Sequence, residues 1–366
     1  MKALIVGGTG PTGPYLIEGL IKRGYTVSMF HRGTHEIPET PAEVEHLHGD
    51  PHFLETIEET LAGRTFDLAI VTYGRIRYLA QALVGKVGRF VSVGGAASYA
   101  GYLATHALKP HGLICPVDEN ARLVKDESEH RFSYLIAQTE QAILDHHPDA
   151  AHFRYPYVYG PRQLIPREWS IMRRMLDKRP SIILPDAGLT VVTHGYAANL
   201  AHAVLLAVDH PIVSAGQIYN CGDEKQLSLR QVVEIIAQKM ACSIAVESMP
   251  WDIALPSRAY STSPTGHHMV LDISKIKAQL GYRDVYSSEQ ALGLTVDWLL
   301  ENRPEPDGEL EGRLQDAFDY AAEDRLIKTW HSCIETMKAV PIALPEERPH
   351  PYAHPKKAGE RDHRNR

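Results

Sequence analysis

Three glycines at a spacing of three, Gly7, Gly10 and Gly13, follow directly on the apolar run Ala3-Leu-Ile-Val6 and precede a helically patterned segment from Tyr15 to Arg23. This order of strand, glycine-rich turn and helix constrains the chain more than any other feature in it. The spacing suits a tight turn, a close approach of backbone to a pyrophosphate, and close packing of helix on strand. The N-terminus of the helix offers free N–H groups and the positive end of its dipole. Pro11 and Pro14 cost little there, because the first turn has no use for their missing N–H. The ligand expected from these residues is a dinucleotide, held by Gly7, Thr9, Gly10 and Gly13.

Short apolar strands are expected at 2–6, 26–30, 44–47, 67–71, 89–93 and 151–155, with helices at 12–23, 53–62, 76–84 and 127–146. Such alternation predicts an α/β fold, a Rossmann-type doubly wound parallel sheet with a smaller C-terminal substrate lobe. The dinucleotide-binding domain is expected over 1–155, with a return segment at about 190–222, and the lobe mainly over 156–300. Helices are expected in the second half at 168–177, 196–209, 229–240, 273–280, 289–301 and 310–338, with strands at 182–184, 217–220 and 244–247. A helical extension is expected over 301–340. Residues 341–366, rich in proline, histidine and charge, read as a disordered tail.

Composition narrows the partners. Of 366 residues 44% are hydrophobic, ample for a core, and 38 basic against 45 acidic residues leave a net charge of -7. That balance argues against nucleic acid or an anionic membrane as partner and for a small-molecule substrate. No apolar run approaches the roughly 18–20 residues a bilayer demands. The chain opens directly on a strand, so no leader is expected. Cys115, Cys221, Cys242 and Cys333 form no Cys-x-x-Cys pair, which reads as reduced thiols in the cytoplasm.

The end of the second strand usually selects the dinucleotide: an acid bonds the ribose 2′-OH, an arginine accommodates a 2′-phosphate. Here it reads Val27-Ser-Met-Phe-His31-Arg32-Gly33, with no carboxylate and two phosphate partners. NADP is therefore expected rather than NAD, with His31 and Arg32 at the 2′-phosphate. Asp50, after the third strand, is placed to contact the adenine. His46, His48, Asp50 and His52 alternate in a way that could gather a metal, but the turn at Gly49-Asp50-Pro51 breaks the alternation and no metal is expected.

Beyond the first motif, the chain carries Gly49-Asp50, Phe90-Val-Ser-Val-Gly-Gly-Ala-Ala-Ser-Tyr99, Tyr134-Leu-Ile-Ala-Gln138, Arg154-Tyr-Pro-Tyr-Val-Tyr-Gly-Pro161 and Leu280-Gly-Tyr282. In this order and spacing they resemble the extended short-chain dehydrogenase/reductase family, the group that includes sugar-nucleotide epimerases and dehydratases, over roughly residues 1 to 300. The resemblance implies a Tyr-x-x-x-Lys pair on one helix, with a Ser or Thr about four residues before Tyr99. The Lys would hold the nicotinamide ribose and lower the Tyr pKa. This chain keeps Tyr134 but has Gln138 at the Lys position, and Gly94 and Gly95 where the hydroxyl belongs. A free tyrosine has a pKa of about 10, so bringing it near 7 takes ~4 kcal/mol of electrostatic help. Gln138 cannot supply that as an ion, although it can bond the ribose. A neutral Tyr134 remains a competent proton donor. The resemblance also adds Tyr155 to the cofactor set and implies a homodimer formed through the helix at 127–146.

On the substrate side, Tyr157 stands where sugar-nucleotide enzymes of the family have an Asn that recognises their substrate. Tyr99, Tyr102, Tyr155, Tyr157, Tyr159 and Trp169 give the expected cleft an aromatic lining, which suits a small, partly apolar hydroxyl or carbonyl substrate. Tyr99 and Tyr157 are the expected contacts. Arg75 and Arg162 are candidates for a phosphate or carboxylate. His194, His267 and His268 are candidates for a replacement acid/base. Three functions follow, in this order: an NADP-dependent enzyme using Tyr134 and Gln138, a non-redox lyase or isomerase on the same fold, and a nucleotide sensor or RNA-associated protein.

Overall fold

A computed structural model describes residues 1–34, 36–343, 355–361 and 365. The expected tail falls largely outside them. The chain divides into two compact units, Met1–Phe318 and Asp319–Arg366. In chain order the first unit contains β1 (Lys2–Val6), α1 (Gly13–Lys22), β2 (Thr26–His31), β3 (Glu45–His48), α2 (Leu54–Thr60), β4 (Leu68–Val71), α3 (Ile76–Ala82) and β5 (Phe90–Gly95). It continues with α4 (Arg131–His146), β6 (Ala151–Tyr155), β7 (Tyr157–Tyr159), α5 (Arg167–Leu176), β8 (Ser181–Pro185), β9 (His194–Tyr196), α6 (Ala197–Asp209) and β10 (Ile218–Asn220). It closes with α7 (Leu229–Lys239), β11 (Ala245–Met249), α8 (Ser274–Leu280), α9 (Ser288–Glu301) and α10 (Glu309–Leu314).

Seven strands form one parallel sheet in the order β10-β6-β5-β4-β1-β2-β3. The reversal of order beside β1 opens a crevice at the carboxyl ends of the strands. β1 shows why central strands read as unbroken apolar runs. Ala3 and Ile5 face one core, with Leu16, Leu20, Leu200 and Val204 from α1 and α6. Leu4 and Val6 face the other, with Ile57, Leu79 and Leu83 around α2 and α3. β10 brings the chain back to the far edge of the sheet. A separate core gathers Trp169, Met172, Ile182, Val233, Ile236 and Leu292 from α5, β8, α7 and α9. Two small parallel sheets, β8–β11 and β7–β9, complete this lobe. β7 and β9, three residues each, carry too little pattern to be expected from sequence.

A buried polar chain ties α4 to the sheet. Arg154 on β6 donates to both Glu140 carboxylate oxygens, at 2.8 and 2.7 Å, and to the Tyr99 hydroxyl at 2.6 Å. Tyr99 donates in turn to Asn220 on β10 at 2.7 Å. His152, fully buried and driven down to about 4 by that burial, sets Nδ1 2.8 Å from Ser92 Oγ and Nε2 3.4 Å from Glu140. Ser92, His152 and Glu140 mimic a nucleophile–base–acid series, yet Ser92 is wholly enclosed, so the series is structural.

The helix expected at 310–338 is two helices. α10 ends at Leu314, and Gln315 and Phe318 take φ of 54° and 46°. Asp316 imposes the break: it pairs with buried Arg174 at 2.7 Å and accepts the Phe318 N–H at 3.1 Å. Glu311 fixes α10 to α5 through the Trp169 indole at 2.8 Å and the Arg173 guanidinium at 2.5 Å. The second unit contains α11 (Tyr320–Lys338), capped by the Asp319 side chain, which accepts the Ala322 N–H at 2.9 Å.

Leaving the Arg154 cation buried without its carboxylate is costly. Glu140→Ala should lower unfolding free energy by about 3–5 kcal/mol, read from urea denaturation.

Candidate functional site

The glycine turn lies at the crevice. Gly7 has φ +97°, and a Cβ there would meet Tyr73 Cβ at 2.5 Å. A Cβ on Gly13 would meet the Gly8 carbonyl oxygen at 2.0 Å, so α1 rests directly on the turn. No side chain caps α1, and no acidic residue occupies its first turn. Thr9 and Gly10 are half-buried on the turn. These features fit a dinucleotide pyrophosphate. Tyr155 lies beneath the turn: it is enclosed, in contact with Thr12, and its hydroxyl donates to the Leu200 carbonyl at 3.3 Å. Its hydroxyl is thus tied to α6 and to the residue that precedes α1.

Two further loops meet the turn. Thr72 Oγ donates to the Val6 carbonyl at 3.1 Å, and Arg75 N donates to Pro51 O at 2.9 Å. This brings the Asp50–His52 turn against the loop after β4. Asp50 Oδ1 accepts the His52 N–H at 3.0 Å and lies 2.8 Å from His52 Nδ1. Arg75 places its guanidinium over the Tyr78 ring, 5.1 Å from the centroid.

At the end of β2 the expected pair separates. Arg32 is exposed. His31 is buried, with Nε2 3.0 Å from His46 Nδ1 and Nδ1 accepting the Gly33 N–H at 3.2 Å. Burial, then repulsion from His46 and His48, lowers its pKa below the ordinary imidazole value. With its pKa lowered, His31 would meet a phosphate by hydrogen bonding rather than by charge, and exposed Arg32 is the cation of the pair. The grouping expected among His46, His48, Asp50 and His52 also changes: Glu36 and His31 join His46 and His48, while Asp50 and His52 pair with each other.

Tyr134 is half-buried and Gln138 exposed, one turn apart on α4. Gly94 could accept no side chain, since a Cβ would lie 2.6 Å from His152 Nε2; at Gly95 the nearest atom would be 3.8 Å away. The missing hydroxyl therefore has room at Gly95.

One expected substrate contact is corrected. Tyr99 is fully buried, and Arg154 and Asn220 saturate its hydroxyl. Arg162 is bonded to the Glu39 carboxylate. Tyr157 donates its hydroxyl to the Ile165 carbonyl at 2.8 Å and lies under the Arg167 guanidinium. His267 and His268 turn to backbone: Nδ1 of His267 lies 3.1 Å from Thr265 O, and Nδ1 of His268 accepts the Val191 N–H at 3.0 Å.

The lobe holds a cavity of about 760 Å³, open solvent at its mouth included, lined by Ile171, Leu229, Val232, Trp251 and Tyr260 among others. Tyr134 and Gln138 are not among its lining residues. It also meets Glu168 and His194. Burial pushes the Glu168 carboxyl up to about 7, and its Oε2 has no hydrogen-bond partner among the described residues. Burial takes His194 down to about 4; its Nδ1–H goes to the Val192 carbonyl at 2.7 Å, leaving Nε2 as an acceptor. Asp223, pushed up to about 6, is saturated by Tyr159, Tyr196 N and Asn199. The cavity thus combines apolar walls with unused acceptors. Sequence reasoning missed Glu168, although it shares a helical stripe with Ile171, Met172 and Met175, where a carboxylate is out of place.

No protein-family model matches the chain. It is 26% identical over 249 residues to the chloroplast stem-loop binding protein of 41 kDa b of Arabidopsis thaliana, a match covering 65% of this chain and 62% of that protein. It is 24% identical over 334 residues to the UDP-N-acetyl-alpha-D-glucosaminuronate decarboxylase of Bacillus cytotoxicus, covering 82% and 98%. The crystal structure of the UDP-glucuronic acid 4-epimerase of Bacillus cereus, in complex with UDP-glucuronic acid and NAD, superposes with a TM-score of 0.64 at 18% identity, covering 82% of this chain and all of that one, 100%. This is the extended short-chain dehydrogenase/reductase fold. The relatives and structural neighbours include sugar-nucleotide epimerases and dehydratases, two of them solved in complex with NAD. Among the described residues, no helix is long and apolar enough to cross a membrane.

Glu168 links stability to pH. Its folded-state pKa, about 7, exceeds the ordinary 4.5, so its contribution is fully present below 4.5 and lost as pH rises towards 7. The loss amounts to about 3 kcal/mol. Glu168→Gln should therefore match the parent in urea denaturation at acidic pH and exceed it by about that amount above pH 8.

Proposed function

We propose that the chain is an NADP-dependent enzyme of atypical extended type, acting on a small, partly apolar hydroxyl or carbonyl substrate. The observation that carries this reading is the glycine turn, closed to side chains at Gly7 and Gly13 and backed by an uncapped helix. The dinucleotide, when bound, gives or takes the hydride. Arg32 meets its 2′-phosphate and Asp50 its adenosine end. Neighbouring structures hold NAD, so the preference for NADP rests on Arg32 alone.

Tyr134 holds the proton that moves to or from the substrate oxygen. Gln138, one turn away, orients the nicotinamide ribose by hydrogen bonding, without the charge a lysine would bring. The cavity against α5 and β9 takes the body of the substrate. Its apolar walls suit a partly apolar substrate, and the Glu168 oxygen and His194 Nε2 suit one that donates hydrogen bonds. The enzyme is read as a cytoplasmic homodimer paired through α4.

The vacant hydroxyl position at Gly95 and the neutral Gln138 favour a second reading, a non-redox lyase or isomerase with the dinucleotide kept in place. The stem-loop relative motivates a third, RNA association, which the net charge of -7 opposes.

Calorimetry with NADPH and NADH tests the cofactor. Arg32→Ala should weaken NADPH on the order of tenfold or more and leave NADH unchanged. Equal loss for both would remove the NADP assignment. With a turned-over carbonyl substrate, Tyr134→Phe should reduce kcat by about 10²–10⁴-fold. Gly95→Ser with Gln138→Lys should raise hydride transfer, followed at the nicotinamide absorbance. Substrate consumed with no such absorbance change would transfer the assignment to the lyase reading.

A further inference from the structure

The ends of β2 and β3 gather side chains that the proposed reaction does not use. In the parallel register Met29 faces His46 and His31 faces His48. Alternation along each strand then puts His31, His46 and His48 on one face of the sheet. Glu36, on the connection between the two strands, leans over the same point. One ligand atom from each of the four lies within 4.8 Å of the others. His31 Nε2 is 3.0 Å from His46 Nδ1, and Glu36 Oε1 is 3.7 Å from both His46 Nδ1 and His48 Nε2.

From this geometry we propose a binding site for a first-row divalent transition cation, Zn²⁺ or Co²⁺, formed by His31, His46, His48 and Glu36. Tetrahedral ligands about 2.0–2.1 Å from zinc stand roughly 3.4 Å from one another. The measured separations of 3.0, 3.7 and 3.7 Å bracket that value. A set of three imidazoles and one carboxylate suits zinc, cobalt, nickel or copper and is a poor host for magnesium or calcium. His31 is buried while Glu36 and His48 are exposed, so the set has a fixed floor and an open path for the ion.

Binding alters the hydrogen bonding in a definite way. The proton between His31 Nε2 and His46 Nδ1 must leave that contact. His31 takes its proton on Nδ1 and releases the Gly33 N–H, now held at 3.2 Å. Gly33, at φ +73°, has the backbone freedom to turn that N–H aside. The ion would then sit at the strand end that contacts the adenosine ribose in dinucleotide-binding folds. The proposal does not depend on which reaction the enzyme performs.

The test uses the full untagged chain, freed of metal with a chelator and titrated with Zn²⁺ by calorimetry and with Co²⁺ by visible absorption. The expected result is one equivalent bound, at micromolar or tighter dissociation constant, with the intense absorption of tetrahedral Co²⁺ and no response to Mg²⁺. His46→Ala with His48→Ala should lower affinity by on the order of 100-fold. The exposed substitution Glu36→Gln, which leaves the packing intact, should lower it about tenfold. Zn²⁺ binding unchanged in both variants would place the ion on other histidines and overturn the site. A weak, octahedral Co²⁺ spectrum would overturn it as well.

Discussion

The pairing of Arg154 with Glu140 decides where the candidate chemistry stands. Arg154 belongs to the sheet and Glu140 to α4, two residues beyond Gln138. A cation and an anion that have both left water offset their desolvation only in good geometry. Their bidentate contact therefore sets both the distance and the rotation of α4 against β6. Tyr134 and Gln138 inherit their positions from it. Tyr99 and Asn220 extend the same network to β10, so the strand at the far edge of the sheet is held in register with the helix.

Much of this was legible in the sequence. Strands buried on both faces read as continuous apolar runs, and the glycine turn betrays itself because no other residue fits at Gly7 or Gly13. What escaped was long-range. Tyr99 belongs to a motif that suggests a ligand, yet its partners come from residues 154 and 220, which no local pattern connects to it. Tyr155 and Arg162 likewise bond to residues distant in sequence, Leu200 and Glu39. β7 and β9 exist because they pair with each other, not through any strand propensity of three residues.

The histidines show the same division. His46 and His48 are visible as an alternating pair, whereas His31 joins them only through the parallel register of β2 and β3. The sequence could propose a charge for His31 but not the burial, nor the neighbours 15 and 17 residues away, that lower its pKa. The long helix expected at the C-terminus failed for a related reason: helical pattern continues across 315–318, and Asp316 breaks it to reach an arginine on α5.

The solitary oxygen of Glu168 has a consequence for how a ligand would be detected. Near neutrality this carboxyl is divided between its protonated and ionised forms. A ligand that donates a hydrogen bond to it favours the ionised form, so occupancy expels part of a proton into the medium. The heat of association then contains the ionisation enthalpy of whichever buffer receives that proton. Titrations in phosphate and in Tris would differ in heat while agreeing in affinity, and the difference would count the protons released.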